Sequence, residues 1–257
     1  MANLKAKKIL KISAATILFL GIAAYIVYAI AVASKPQPED TCTELILNIQ
    51  ENTFEGFITP HSVENELNEL RLNPKGKEIS KISTGQIETA LKKNEFIESV
   101  ECYKTANNKV AIDITQRTPV IYVLPNGIKG YYVDIYGKVL PNRHYPANLP
   151  VATGAISQNY ATTQLAKLGK FIINDEFWNS QIEQINITLN KEGEQIIDIV
   201  PRVGQQIIRF GTIHNFEKKF KRLRTFYEEA MPSIGWNKYP ELSLEYDNQI
   251  IGTKQKQ

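Results

Sequence analysis

The residues of this chain best suited to chemistry are three histidines, His61, His144 and His214, and two cysteines, Cys42 and Cys102. A metal centre or a nucleophile and base pair needs several such groups together, which in sequence often shows as short spacings such as Cys-x-x-Cys or His-Glu-x-x-His. None of the five stands at such a spacing with Cys, His, Asp or Glu. No Gly-rich phosphate loop and no nucleophile elbow occurs, and Gly127, Gly130, Gly137 and Gly154 are spread as strand punctuation. The adjacent carboxylates Glu228-Glu229 and Asp175-Glu176 fall along helices or at their ends, where both are normally solvated. These patterns point away from an enzyme and imply neither metal nor cofactor. What remains is binding, so the elements are read for the surfaces they present.

The first element is apolar. Residues 12–33 contain no charge, enough at about 1.5 Å per residue to cross a hydrocarbon core of about 30 Å. Lys5, Lys7, Lys8 and Lys11 precede it, while the first acidic residue is Glu39, so the positive-inside rule places the N-terminus in the cytoplasm. Ala31-Val32-Ala33 also has the small-x-small form of a signal-peptidase site. Against cleavage stand the length of the apolar run and Tyr25 and Tyr28 at its outer end, where aromatic residues anchor spans.

Five of the 30 basic residues precede Glu39, which leaves 25 basic against 27 acidic in the exported remainder. A near-neutral body lacks the dense cationic surface that phosphate contacts require, so nucleic acid is set aside as a partner. The two cysteines stand on the exported side, where a disulfide could persist. A body of this length can nevertheless bury its own core, and the pair also reads as two small apolar strand residues.

Residues 34–41 read as a proline-bearing stalk. Cys42 to Gln50 alternates, with Leu45, Leu47 and Ile49 on one face, as a half-buried strand does. Thr59-Pro60 caps a helix carrying Val63, Leu67 and Leu70, and Ser83 or Thr84 caps a second with Ile87 and Leu91 inward. Ile97 to Lys104 and Val110 to Thr115 flank the turn signal Asn107-Asn108 as a hairpin. Beyond Pro119 the spacing of strands shortens: Val120 to Leu124, Tyr131 to Ile135, Lys138 to Leu140, a helix Thr162 to Asn174, then Ile182 to Leu189, Ile196 to Val200 and Gln206 to Phe210. A helix Asn215 to Met231 follows, with Lys218, Lys219, Lys221, Arg222 and Arg224 read as a solvated face in preference to a phospholipid or acidic-partner contact. Pro240 to Thr253 is read as one final strand. The fold class is α+β, divided into a tail (1–11), a transmembrane helix (12–33), a linker (34–41), a β-α-α-β-β unit (42–118) and a mostly β domain (119–257) with a C-terminal helix and a terminal edge strand.

This layout resembles the bacterial division family FtsQ, also called DivIB, whose members carry a cytoplasmic tail, one span, a POTRA domain of the same strand and helix order, and a β-domain. The junction Gln116-Arg117-Thr118-Pro119 is similar to the family's Glu/Gln-Arg-x-Pro, and Tyr131-Tyr132-Val133-Asp134-Ile135-Tyr136-Gly137-Lys138-Val139 to its Tyr-x-Val-Asp-x-x-Gly-x-Val. Leu242 to Asn248 is similar to its Asp-Leu-Arg-Tyr-Asp strand, with Ser243 for the Asp and Glu245 for the Arg. The resemblance implies a single-pass inner-membrane scaffold with periplasmic domains, whose terminal strand takes up the coiled-coil partner FtsB, itself bound to FtsL. The implied contacts are Leu242, Leu244, Tyr246, Asn248, Ile250 and Ile251, and the family's later aromatic contact has no match near Lys254. An edge strand suits that role, because its unpaired N–H and C=O groups can receive another strand. For Leu242, Leu244 and Tyr246 the competing reading is that they face the domain's own core. Two further classes stand beside the scaffold: a POTRA-bearing transport or outer-membrane assembly component, which would normally show tandem units or a barrel, and a membrane-anchored hydrolase.

Overall fold

The computed structural model describes residues 17–30, 41–50, 57–143, 149–236 and 238–254. Residues 17–30 form a helix, α1, whose side chains are almost all exposed, Ile17, Phe19 and Tyr25 by about 70 % or more. Among the described residues no helix is long and apolar enough to cross a membrane. The rest of the span expected at 12–33, the tail and most of the stalk lie outside the described residues.

Two sheets make up the body. In the first, β1 (Glu44–Gln50), β2 (Ile97–Lys104) and β3 (Lys109–Gln116) lie in the order β1-β3-β2, with β1 parallel and β2 antiparallel to β3. Two helices, α2 (Pro60–Glu69) and α3 (Thr84–Leu91), cross between β1 and β2, as a parallel pairing of β1 with a later strand requires. α2 starts where Thr59 and Ser62 form a reciprocal capping box ahead of Pro60. Its Val63 and Leu67 meet Ile87 and Leu91 of α3 over Val100, Val110, Ile112 and Ile114 of the sheet. The hairpin turns at Asn108, whose φ of 53° is the left-handed conformation that Asn tolerates better than most residues.

The second sheet has nine strands in the order β12-β11-β10-β9-β8-β7-β4-β5-β6. They are β4 (Pro119–Pro125), β5 (Tyr131–Asp134), β6 (Val139–Leu140), β7 (Val151–Gly154), β8 (Ile182–Leu189), β9 (Gln195–Pro201), β10 (Ile207–Gly211), β11 (Glu241–Ser243) and β12 (Ile251–Thr253). One face is covered by α4 (residues 158–173), α5 (Glu176–Gln181) and α6 (residues 216–234). Leu165, Leu168, Ile172, Trp178, Phe220 and Leu223 from these helices pack on Ile185, Ile197, Ile199, Ile208 and Phe210 from the strands. α4 and α6 each contain a wide π turn, at Ala161–Leu165 and Phe226–Ala230. The second lies just before Pro232, which has no N–H to give the helix ladder.

Several boundaries differ from the sequence reading. β7 was not foreseen: four residues with Thr153 and Gly154 among them carry no strand pattern, and what makes them a strand is parallel pairing with β4 on one side and β8 on the other. α4 begins earlier than Thr162, at a Ser157 cap whose hydroxyl accepts Tyr160 N–H. The final strand Pro240 to Thr253 is not one strand. β11 runs parallel to β10, the chain loops through 244–250, and β12 returns antiparallel to β11. Asn248 breaks the run, with φ of 62° in the left-handed region where no strand continues.

The two sheets meet through the motifs that join them. Arg117 Nη1 donates to Asp134 Oδ2 at 2.9 Å, and Asp134 Oδ1 accepts Tyr136 N–H at 2.9 Å and Lys138 N–H at 2.7 Å. Gln116 Oε1 accepts Ile58 N–H at 3.4 Å. Tyr132 and Leu140 leave the face of the large sheet to join the first core, where the Tyr132 ring meets Phe57 edge-on.

Candidate partner-binding edge

The side chains first weighed for catalysis do not come together. Among the described residues no group of three His, Cys, Asp or Glu could hold a metal ion. His61 contacts Asn65 on an exposed face of α2, His214 is exposed, and His144 lies outside the described residues. Cys42 and Cys102 are both buried with free thiols, and burial, aided by the Glu88 carboxylate, pushes the Cys102 thiol up to about 11. A thiol held that high is a poor nucleophile. The cleft of about 950 Å³ between α2 and residues 141–143 is lined by Glu66, Glu69, Asn94, Phe96 and Arg143 without a His or Cys.

The edge at β12 has a definite geometry. Leu244 N–H donates to Arg209 C=O at 2.8 Å and Ile207 N–H to Pro240 C=O at 2.9 Å, so the even-numbered residues of β11 turn their backbone toward β10. Glu241 and Ser243 therefore turn theirs toward β12, where they face Thr253 and Ile251. By the same alternation Gly252 presents its N–H and C=O outward, and among the described residues no strand pairs beyond β12. A Cβ on Gly252 would stand 2.7 Å from the Tyr239 ring, which occupies the space a side chain would need. The edge therefore has an open backbone and a glycine that only a close aromatic ring explains.

Charges brace the strands behind it. Arg209 on β10 donates from Nη1 to Asp198 Oδ2 on β9 at 2.6 Å and from Nε to Glu241 Oε2 on β11 at 2.9 Å, tying three strands together. Burial pushes the Asp198 carboxyl up and outweighs the neighbouring guanidinium, while the hydrogen bond to Glu241 raises Arg209. Behind the other face, Lys219 of α6 is 9 % exposed and donates to Phe210 C=O at 2.8 Å and Thr212 C=O at 2.7 Å. Arg222 donates from Nη2 to Leu244 C=O at 2.9 Å, and Arg224 to Asp175 Oδ1 at 2.6 Å. The solvated basic face expected on this helix is thus corrected for three of its five residues. Only Lys218 and Lys221 face solvent, because backbone carbonyls of the turning chain take Lys219 and Arg222 as donors and the Asp175 carboxylate takes Arg224.

The six residues expected to contact a partner divide by exposure. Leu242 and Leu244 are fully buried in the domain core and offer no surface, which corrects their place in that set. Tyr246 is 56 % exposed, so the core reading of its side chain does not hold. Asn248 is exposed in the loop, Ile250 is half-buried and Ile251 is exposed on the edge strand itself. Arg209 and Tyr239 were missed, and Lys219 and Arg222 were read as solvated. Gly252 inside an Ile-Ile-Gly-Thr run was the one available sign that another group approaches the backbone.

Comparison with known families agrees with this architecture. Residues 118–253, more than half of the chain, match the family described as FtsQ/DivIB, C-terminal related. The chain belongs to the FtsQ/DivIB family. Residues 40–115 match a POTRA-like domain, which coincides with the three-stranded sheet and its two helices. No curated protein matches the chain. The two matches identify a division-related protein bearing a POTRA-like domain, and they meet where Arg117 and Asp134 join the two sheets.

Proposed function

We propose that this protein is a single-pass inner-membrane scaffold of the division machinery, which recruits an FtsB-like and FtsL-like pair by adding a partner strand to β12. The observation that carries the reading is the outward backbone of Gly252 on a strand that has one neighbouring strand among the described residues. Main-chain pairing there supplies affinity, and Tyr246, Asn248, Ile250 and Ile251 supply the side-chain contacts. Residues 12–33 anchor the chain, with 1–11 in the cytoplasm, 34–41 as a stalk, and the units at 42–118 and 119–257 in the periplasm. The apolar side chains of α1, exposed among the described residues, support the membrane reading. The POTRA-like unit provides a second docking surface for membrane division proteins. The work is binding, and no step of it calls for a cofactor.

The test is co-purification from detergent-solubilised membranes of the full chain and of a version ending at Gln249. That version loses β12 but keeps Leu242 and Leu244 in the core. FtsB-like and FtsL-like proteins, identified by mass spectrometry, should accompany the full chain and be lost from the shortened one. Equal capture by both would place the contact elsewhere and sink the strand-addition reading.

A further inference from the structure

β12 pairs with β11 over three residues, and the chain between them, 244–250, is mostly exposed. Strands this short hold their place only if something fixes their ends. At the β11 end two bonds meet on one residue: Leu244 N–H reaches Arg209 C=O, and Leu244 C=O accepts Arg222 Nη2 at 2.9 Å. One turn earlier on α6, Lys219 holds Phe210 and Thr212 C=O on either side of Gly211, where the register of β10 against β9 shifts. Gly211 has φ of 74°, and a Cβ there would come within 3.1 Å of Glu245 Cγ, so the loop after Leu244 rests directly on this bulge. Arg222 Nε is buried, so the guanidinium is not a general surface cation.

We infer that Arg222 and Lys219 are positioning residues for the docking edge: from the helix layer they fix the point at which the chain leaves β11, and so preset the register of β12 for an incoming strand. Neither touches that strand. Lys219 sets the bulge on which the loop rests, and Arg222 sets the exit of the loop. Preorganisation of this kind favours binding because the ordering cost is met before the partner arrives. The inference rests on strand addition at β12 being the mode of recruitment, but its test does not.

The test is amide hydrogen exchange on the full-length detergent-solubilised protein, comparing wild type with Arg222→Met and Arg222→Lys. Arg222→Met should speed exchange at Ser243, Ile251 and Thr253 at least tenfold while β8, β9 and the POTRA-like sheet keep their protection. Arg222→Lys, which retains a donor, should restore most of it. A uniform loss of protection across β8–β10 would make Arg222 a general stability residue and overturn the inference, as would unchanged exchange at β12 or failure of the Lys variant to rescue. A loosened edge that still captured the same partners would leave the clamp standing and count against strand addition instead.

Discussion

Replacing Asp134 by Ala should weaken the joint between the two sheets more than any surface change. Its side chain has no exposure, and it bonds three groups at once: Arg117 Nη1 at 2.9 Å and the N–H groups of Tyr136 and Lys138. Arg117 is 21 % exposed and its Nε is already without a partner, so loss of the carboxylate leaves a largely buried cation uncompensated. Breaking a buried pair from one side costs about 3–5 kcal/mol. The two turn amides lie beside exposed Tyr136, where water replaces the lost acceptor, and they add at most about 1 kcal/mol each. The expected total is about 4 kcal/mol, a large share of the roughly 5–15 kcal/mol that holds a domain folded. Asp134→Asn keeps a carbonyl oxygen for the turn and should cost about half as much. Urea unfolding followed by fluorescence reads this directly, since both tryptophans, Trp178 and Trp236, belong to the large-sheet domain. An Ala variant within about 1 kcal/mol of wild type, or an Asn variant as damaged as the Ala variant, would refute the assignment of Asp134 as the pin of the joint.

With the Cys102 thiol raised from 9.0 to about 11, only about 0.1 % of it is thiolate at pH 8, so alkylation by iodoacetamide should run roughly a hundredfold slower than in the urea-unfolded chain. Equal rates by peptide mass spectrometry would contradict its burial beside Glu88. Burial also lowers the Lys219 amine below 10.5. The unfolded chain then binds that proton more tightly than the folded one, so stability rises with pH between the lowered value and 10.5. Lys219→Met should remove this rise and, by stranding two carbonyls, lower the urea midpoint at pH 7 as well. Parallel stability profiles for the two proteins across that pH range would show that the ammonium is not desolvated.

Local signals were strong where one residue type has one physical use. Thr59-Pro60 marked a helix start because its side-chain and φ constraints suit no other position so well, and the alternation of Leu45, Leu47 and Ile49 marked a strand because period 2 places them on one face. Gln116 to Pro119 and Tyr131 to Val139 carried the family resemblance, but nothing along the chain said that Arg117 and Asp134 would touch. The break at Asn248 was hidden for a related reason. Leu242, Leu244 and Tyr246 alternate as a strand should, while the chain leaves the ladder at Leu244 because its next neighbours are a bulge and a helix rather than another strand.

By itself, then, the sequence determined the types of most helices and strands, the order of the POTRA-like unit, the absence of catalytic spacings and the motifs of the family, since each depends on residues close together in the chain. Only the tertiary structure decided that β7 is a strand, that Leu242 and Leu244 belong to the core, that three cations of α6 are bonded inward, and that Gly252 is the residue whose backbone faces out. Those outcomes depend on which elements become neighbours, and pairing across distant segments is set by the packing of the whole domain, which no local period encodes.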